Sequence, residues 1–271
     1  MAAIIRAPRR PQTAFMETFM AVSLSTLVEE ADRYLGSAKI PDYCPNGLQV
    51  EGRPQVRKIV SGVTASQALL DAAVGAGADL VLVHHGYFWK GENPCITGMK
   101  HRRLKTLLRH DMSLLAYHLP LDVHPEVGNN VQLALRLGLT VEGPLDPSNP
   151  KVVGLVGSLD VPQTALEFSR RVAQVLGREP LVVCSGQTVR RVGWCTGGGQ
   201  GYIDTAIEAG VDLYLTGEAS EQTFHSACEN GVSFIAAGHH ATERYGVQAL
   251  GEYLAQRFAI EHVFIDCPNP V

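Results

Sequence analysis

The feature that most constrains the fold is an internal repeat. Lys58-Ile-Val-Ser-Gly-Val-Thr, followed by Asp71 and then Gly77-Ala-Asp79-Leu80, returns as Arg191-Val-Gly-Trp-Cys-Thr-Gly, followed by Asp204 and then Gly210-Val-Asp212-Leu213. Asp71 and Asp204, Gly77 and Gly210, and Asp79 and Asp212 are each 133 positions apart. The next apolar run also recurs, as Ser113-Leu-Leu-Ala-Tyr-His118 and Ser233-Phe-Ile-Ala-Ala-Gly238. One Gly-x-Asp match is chance, but equal spacing across strand, helix and strand points to a duplication. Around these segments strand-length apolar runs (58–63, 80–84, 113–118) alternate with helical periodicity (66–74, 102–109, 130–137). That alternation predicts an α/β layered fold with a largely parallel sheet. The expectation is two related three-layer α/β halves, residues 21–140 and 150–271, with the C-terminal segment packing back on the first.

Chemistry concentrates where strands end. Asp79-Leu-Val-Leu-Val-His84-His85-Gly86 reads as a buried parallel strand that stops in two histidines, and function in such sheets sits just past the carboxyl end. Adjacent strand residues face opposite ways, so both imidazoles reach one site only if the chain turns, and Gly86 is expected to supply that freedom. Related halves facing one another bring equivalent strand ends to a shared cleft. The polar residues found there are His84-His85, His118-Leu-Pro-Leu-Asp122-Val-His124, Gly217-Glu218 and Gly238-His239-His240-Ala-Thr242-Glu243.

Imidazoles and carboxylates in this mixture are ordinary ligands for first-row divalent ions. His84, His85, Asp122, His239 and Glu243 are the candidate ligands. Five are too many for one ion with an open position; two ions about 3.5–4 Å apart, bridged by a carboxylate and a water, use them naturally. The bridged water would be a nucleophile at neutral pH. Asp122 is the first candidate for the bridging carboxylate and Glu243 the second. His118, His124, His240, Thr242 and Glu218 are candidates for fixing tautomers or moving protons, with His118 and Glu218 the expected catalytic pair.

Composition narrows the class. The net charge of -4 argues against a nucleic-acid binder that relies on a basic surface. No apolar run is long enough to span a membrane. Six scattered cysteines without a C-x-x-C pair suit the reducing cytoplasm. Residues 1–20, with Arg6, Arg9, Arg10 and two prolines, read as a flexible N-terminal extension, with Met16 and Met20 as alternative starts.

The motifs V-H-H-G at 83–86, H-L-P-L-D at 118–122, T-G-G-G-Q-G at 196–201, T-G-E at 216–218 and G-H-H-A-T-E-R at 238–244, with P-N-G-L-Q-V-E-G at 45–52, resemble the NIF-three-like dinuclear metal-centre family. Its members are often named GTP cyclohydrolase 1 type 2 homologues, and the resemblance is to the short bacterial type, from about Leu24 to the Pro-Asn-Pro ending. It implies two divalent ions per chain (Zn, Fe, Mn, Co or Ni) held by His84, His85, Asp122, His239 and Glu243. It also implies two similar halves and a toroidal homohexamer with its sites facing an internal cavity.

Two stretches bear on substrate. The backbone N–H groups of Gly197, Gly198 and Gly199 could cradle an anion, or the glycines could serve only a tight strand-to-helix turn; the stretch is neither a Walker A loop nor a dinucleotide fingerprint. Tyr87-Phe88-Trp89-Lys90 could stack a purine with Lys90 near its phosphate, or pack at a subunit contact. The expected function is a metal-dependent hydrolase of a small phosphorylated molecule, a nucleotide or related heterocycle. For a purine nucleotide this means ring opening at the imidazole carbon. The alternative is a metal-binding or scaffold protein without turnover.

Overall fold

The computed structural model describes residues 20–271. The expected extension at residues 1–20 therefore lies, but for Met20, outside the described residues. Eleven strands build two sheets. In chain order they are β1 (Gly47–Val50), β2 (Lys58–Thr64), β3 (Leu80–His85), β4 (Ser113–Ala116), β5 (Leu139–Pro144), β6 (Leu155–Thr164), β7 (Leu181–Val183), β8 (Thr188–Cys195), β9 (Leu213–Thr216), β10 (Ser233–Ala236) and β11 (Glu261–Phe264). The first sheet has the order β11-β2-β3-β4-β1 and the second β5-β6-β8-β9-β10-β7.

Each sheet is centred on three parallel strands, β2-β3-β4 and β8-β9-β10, and each carries an antiparallel edge strand that precedes the trio in sequence. The repeated aspartates do the same work in both. Asp79 Oδ2 accepts the backbone N–H groups of Arg57 (2.8 Å) and Lys58 (3.1 Å), and Asp212 Oδ2 those of Arg190 (2.9 Å) and Arg191 (2.8 Å). A carboxylate at the entry of the second strand of each trio thus closes the open backbone at the entry of the first. Gly77 and Gly210, both at φ 69°, provide the left-handed turn that leads into it. The other edges differ: β11 pairs parallel with β2, whereas β6 pairs antiparallel with β8.

Helices cover both faces of each sheet, which is why the central strands are apolar on both sides. Helices Gln67–Gly75 and Gly98–Arg109 pack on one face of the first sheet. Leu24–Leu35 and Arg244–Phe258 cover the other, through Leu27, Ala31, Val247, Leu250 and Leu254. On the second sheet, Ile203–Glu208 and Glu221–Asn230 occupy one face. Asn129–Leu137 and Ala165–Leu176 occupy the other, through Leu133, Leu137, Phe168 and Val172.

Two of these helices are exchanged. Asn129–Leu137 leaves the first trio of strands but packs on the second sheet. Arg244–Phe258 leaves the second trio but packs on the first, and the chain then adds β11 to that sheet. β5, at the expected boundary between halves, already belongs to the second sheet. At the crossing, Asn129 Oδ1 accepts the N–H of Gly246 at 3.0 Å, and a side chain at Gly246 would run into that same amide. No helix among the described residues is long and apolar enough to cross a membrane.

Removing the repeated carboxylates should show their structural weight. Asp79→Ala strands two backbone N–H groups and releases the Arg53 guanidinium (2.7 Å), so it should cost about 2–4 kcal/mol in urea unfolding. Asp212→Ala should cost somewhat less. A loss under roughly 0.5 kcal/mol in both would show that these bonds do not hold the strand entries together.

Candidate metal centre

β3 delivers its two terminal imidazoles side by side, with ring centroids 4.5 Å apart. His84 is fully buried; its Nδ1–H donates to the Tyr117 carbonyl at 2.9 Å, which leaves Nε2 as the free ligand atom. His85 shares a hydrogen bond through Nδ1 with Thr64 Oγ1 at 3.2 Å and likewise presents Nε2. Gly86 is not in the left-handed region that was expected to turn the chain. Its value is space: a Cβ there would collide with the Gln49 amide and lie 2.7 Å from Ala116 Cβ.

Asp122 comes from the short helix Leu119–Val123 and is buried. Its Oδ1 accepts Asn129 Nδ2–H at 2.8 Å and lies 3.5 Å from His84 Nε2. From the other half, Gly238 (φ 101°) opens the four-residue helix His239–Thr242, and Glu243 sits at the joint with Arg244–Phe258. His239 Nδ1–H donates to Glu218 Oε1 at 2.6 Å and its Nε2 lies 3.2 Å from Glu243 Oε2. Glu243 spans the cluster. Oε1 is 3.5 Å from His84 Nε2, and Oε2 is 3.2 Å from His85 Nε2, the same separation as from His239. Of four metal-capable groups among the described residues, two, His84–Asp122–Glu243 and His85–His239–Glu243, share one carboxylate; the others, His84–His85–His118 and Asp42–Cys44–His118, run through His118. That geometry favours Glu243 over Asp122 as the shared ligand.

Electrostatics agree with a cation-binding role. Burial opposes a charge on His84, but Asp122 and then Glu243 outweigh it and lift its pKa to about 9. His239 rises to about 9 in the same way, burial being overcome by Glu243 and Glu218. His85, more buried than His239 and crowded by the other imidazoles, falls to about 3. Burial drives Asp122 up and Glu243 adds to the rise, against the opposing pull of His84, His118 and the Asn129 hydrogen bond. Burial would also raise Glu243, yet it faces three imidazoles and His84 and His85 hold it well below the carboxylate range. Its Oε2 is nevertheless buried with no hydrogen-bond partner among the described residues. An ionised carboxylate oxygen buried between two imidazole nitrogens is what a divalent cation would satisfy. Three imidazoles and two carboxylates fit such an ion.

The surrounding residues sort differently from expectation. His118 is close, 5.1 Å from His84 and 5.8 Å from His85 between ring centroids. Its Nδ1–H donates to Asp42 at 2.9 Å, so Nε2 is the free nitrogen. Glu218 orients His239 and also accepts Gln200 Nε2–H at 3.2 Å. Thr242 Oγ1 accepts the Gly197 N–H at 2.9 Å. His124 and His240 do not join. His124 bonds the Tyr34 carbonyl (3.0 Å) and takes backbone N–H groups from 126 and 127, while His240 turns away to Asp266 (2.8 Å).

The glycine turn also needs correction. Gly197 and Gly199 spend their N–H groups on Thr242 and Thr216 hydroxyls, leaving only Gly198 of the three outside such bonds. Rather than an anion cradle, Gly197 (φ 67°) is a close approach to the ligands: a Cβ there would collide with Glu243 Oε1 and lie 3.1 Å from His239 Nε2. Asn129 and Asn130 were missed. Asn130 Oδ1 accepts the Thr196 N–H at 2.9 Å, and its Nδ2–H donates to the Asp122 carbonyl at 3.2 Å. The pair therefore ties ligand Asp122 to the glycine turn of the other half. Asp42 was missed as well. The whole site opens into a cleft of about 450 Å³.

Comparison with known proteins finds relatives along nearly the whole of the described chain. The sequence model of the family described as Duf34/NIF3 (NGG1p interacting factor 3) matches residues 22–270. A Pseudomonas aeruginosa protein named GTP cyclohydrolase 1 type 2 homolog is 76% identical over 251 residues, covering 93% of this chain and 100% of the relative. A solved structure described as protein ybgI, of unknown function, superposes with a TM-score of 0.88 at 55% identity, covering 92% of this chain and 100% of that one. A crystal structure of a Thermus thermophilus protein gives a TM-score of 0.85 at 38% identity, with the same coverage.

Two outcomes follow from this geometry. Gly197→Ala should weaken zinc binding by at least about tenfold, because the new methyl displaces Glu243; an unchanged affinity in a chelator competition would mean Glu243 is not a ligand. In the metal-free chain, His84 and His239 at about 9 carry protons at neutral pH that a cation must displace. Zinc affinity should therefore climb with pH, by about tenfold per unit for each displaced proton, until those pKa values are passed. The same competition run from about pH 6.5 to about pH 8.5 checks it, and a flat profile contradicts it.

Proposed function

The chain belongs to the Duf34/NIF3 family, and on that premise we propose that it is a dinuclear-metal-dependent hydrolase acting on a small heterocyclic molecule. The observation that carries this reading is the buried Oε2 of Glu243, 3.2 Å from the Nε2 atoms of both His85 and His239. His84, Asp122 and Glu243 would hold one divalent ion, and His85, His239 and Glu243 the other. Such ions supply Lewis acidity and lower the pKa of water towards neutrality.

The chain's own residues supply the rest. Asn129 and Glu218 fix the orientation of Asp122 and His239 through direct hydrogen bonds. His118, with Nδ1–H held by Asp42, keeps Nε2 free to accept or give a proton over the cleft. In hydrolytic opening of a purine, water adds across the C=N bond of the imidazole ring, its oxygen joining the carbon and one proton the doubly bonded nitrogen. The carbon's other C–N bond then breaks as the formamide C=O forms, and the hydroxyl proton goes to the departing nitrogen, a transfer within the competence of His118. Structural metal sites are usually closed and rich in thiolate; this one has none among its ligand groups and opens to a cleft, which supports catalysis over storage. The relatives' name, GTP cyclohydrolase 1 type 2 homolog, points the same way.

A closed homo-oligomer, as a ring-shaped hexamer, belongs to the same proposal. Ile96 and Leu108, more than half exposed along one groove, support a buried partner face. Six free cysteines among the described residues support a cytoplasmic setting.

Reconstituted protein should approach two metal equivalents per chain by elemental analysis, and Glu243→Ala should fall below one. Metal-loaded protein screened against nucleosides, nucleotides and their damaged forms should show hydrolysis. On the substrate found, His118→Ala should keep its metal and lose about 10²–10⁴ in kcat. Absence of turnover under every metal loading would leave a binding or scaffold protein.

A further inference from the structure

The cleft over the metal ligands is walled by aromatic rings and contains no lysine or arginine among its lining residues. Its charged neighbours are carboxylates and imidazoles: Asp122, Glu243, His85, His118 and His239 line it, with Asp42 and Glu218 directly behind His118 and His239. A triphosphate brings several negative charges, and no guanidinium or ammonium on these walls would meet them. The internally bonded N–H groups of Gly197 and Gly199 leave that of Gly198 alone of the three as a backbone donor for an anion.

What the walls do offer is π-surface. Trp89 lies 5.0 Å from the His118 ring and 6.1 Å from His85, and Tyr43 lies 5.1 Å from His118. The Tyr43 and Trp89 centroids are 6.0 Å apart, and Tyr43 is 53% exposed although it stands beside a polar site. This placement is built, not incidental. Phe88 takes the left-handed conformation (φ 65°), costly for a residue with a Cβ, and so returns Trp89 over the histidines. The Lys90 N–H then donates to the Tyr43 carbonyl at 2.8 Å, binding the two aromatic loops together. Asp42, which holds His118, sits in the same loop as Tyr43.

We propose that Trp89 and Tyr43 form the specificity platform of the site, seating a planar, uncharged heteroaromatic ring of nucleoside size, with no phosphate tail needed for recognition. This rests on the hydrolase reading for its chemistry, but not for its binding.

The test uses the full chain, metal-loaded and chelator-stripped, titrated with guanosine, GTP and inorganic triphosphate by calorimetry and tryptophan fluorescence. The chain has two tryptophans, and Trp194 is fully buried, so quenching reports on Trp89. Guanosine should quench it. Trp89→Ala and Tyr43→Ala should each weaken guanosine by about tenfold or more, the size of one base–aromatic stack, with Trp89→Phe recovering most of the loss. Inorganic triphosphate should bind the loaded variants as it binds the loaded parent, and GTP should bind the stripped chain no tighter than guanosine. The proposal is overturned if stripped protein gains affinity with phosphate, if both alanine variants bind guanosine normally, or if guanosine does not bind. It is equally overturned if Trp89→Ala dissolves the oligomer while guanosine affinity persists, which makes the ring a subunit contact. Guanosine binding without turnover of any compound would remove the hydrolase and leave the platform. Hydrolysis of a non-aromatic substrate without guanosine binding would do the reverse.

Discussion

The structure depends on one buried charge. Glu243 is almost wholly removed from water, held as the carboxylate, and in contact with imidazoles on three sides. Burying a carboxylate carries a large desolvation cost that only close positive charge and hydrogen bonds offset. In the metal-free chain the offset comes from protons on His84 and His239; with cations bound, it comes from the metal, and the protons leave. The same residues thus serve folding and ligation, and pH, metal and stability are linked at one point. The glycine at 197 is part of this arrangement, because only a residue without a side chain lets the backbone approach so close behind the carboxylate.

That charge can be shared between halves because the two helices following the ligand loops are exchanged. If each helix packed on its own sheet, the strand ends carrying His84 and His239 would have no covalent reason to face one another. The exchange turns Asn129 into a joint: its amide accepts a backbone N–H from Arg244–Phe258 and donates to Asp122. Asn130 makes the matching link to the turn at Thr196, and its carbonyl accepts the Trp194 indole N–H at 3.0 Å. Fully satisfied buried amides of this kind specify one arrangement of the halves as no apolar contact could.

What was legible in the sequence follows the same physics. β3 was plain because a strand covered on both faces needs an apolar run, and the repeat was plain because Asp79 and Asp212 are held by the same backbone bonds. The five ligand candidates were legible as a cluster because strand ends in related halves must converge. Neighbours of ligands were not. His240 follows His239 but leaves the helix in another direction and pairs with Asp266, and His124 lies just past Asp122 yet serves a turn. Adjacency in sequence fixes the distance between backbones, not the direction of side chains. Asp42 lies in a stretch of turn-forming residues, Pro41-Asp-Tyr-Cys-Pro-Asn-Gly47, and its partner His118 is 76 positions away. Asn129 and Asn130 looked like ordinary polar residues at a helix start. The exchange itself leaves no periodic signal, since a helix has the same apolar face whichever sheet it covers.

The glycine-rich turn admits two readings from sequence, an anion cradle or a tight strand-to-helix turn, and its hydrogen bonds favour the second. Glycines between a strand and a helix suggest phosphate when only backbone N–H groups are counted. Counting also what those groups already bond reverses the inference: two threonine hydroxyls, from 216 and 242, consume two of them. The turn then packs against the candidate metal ligands, and Tyr43 and Trp89 line the same cleft. Positive charge on the cleft walls is limited to imidazoles and whatever cations the candidate ligands would hold, so under the proposed reading a ligand's anionic part and its ring would meet different elements. On that reading the carboxylates and imidazoles would set the chemistry, and the aromatic loops would set which ring is brought to it.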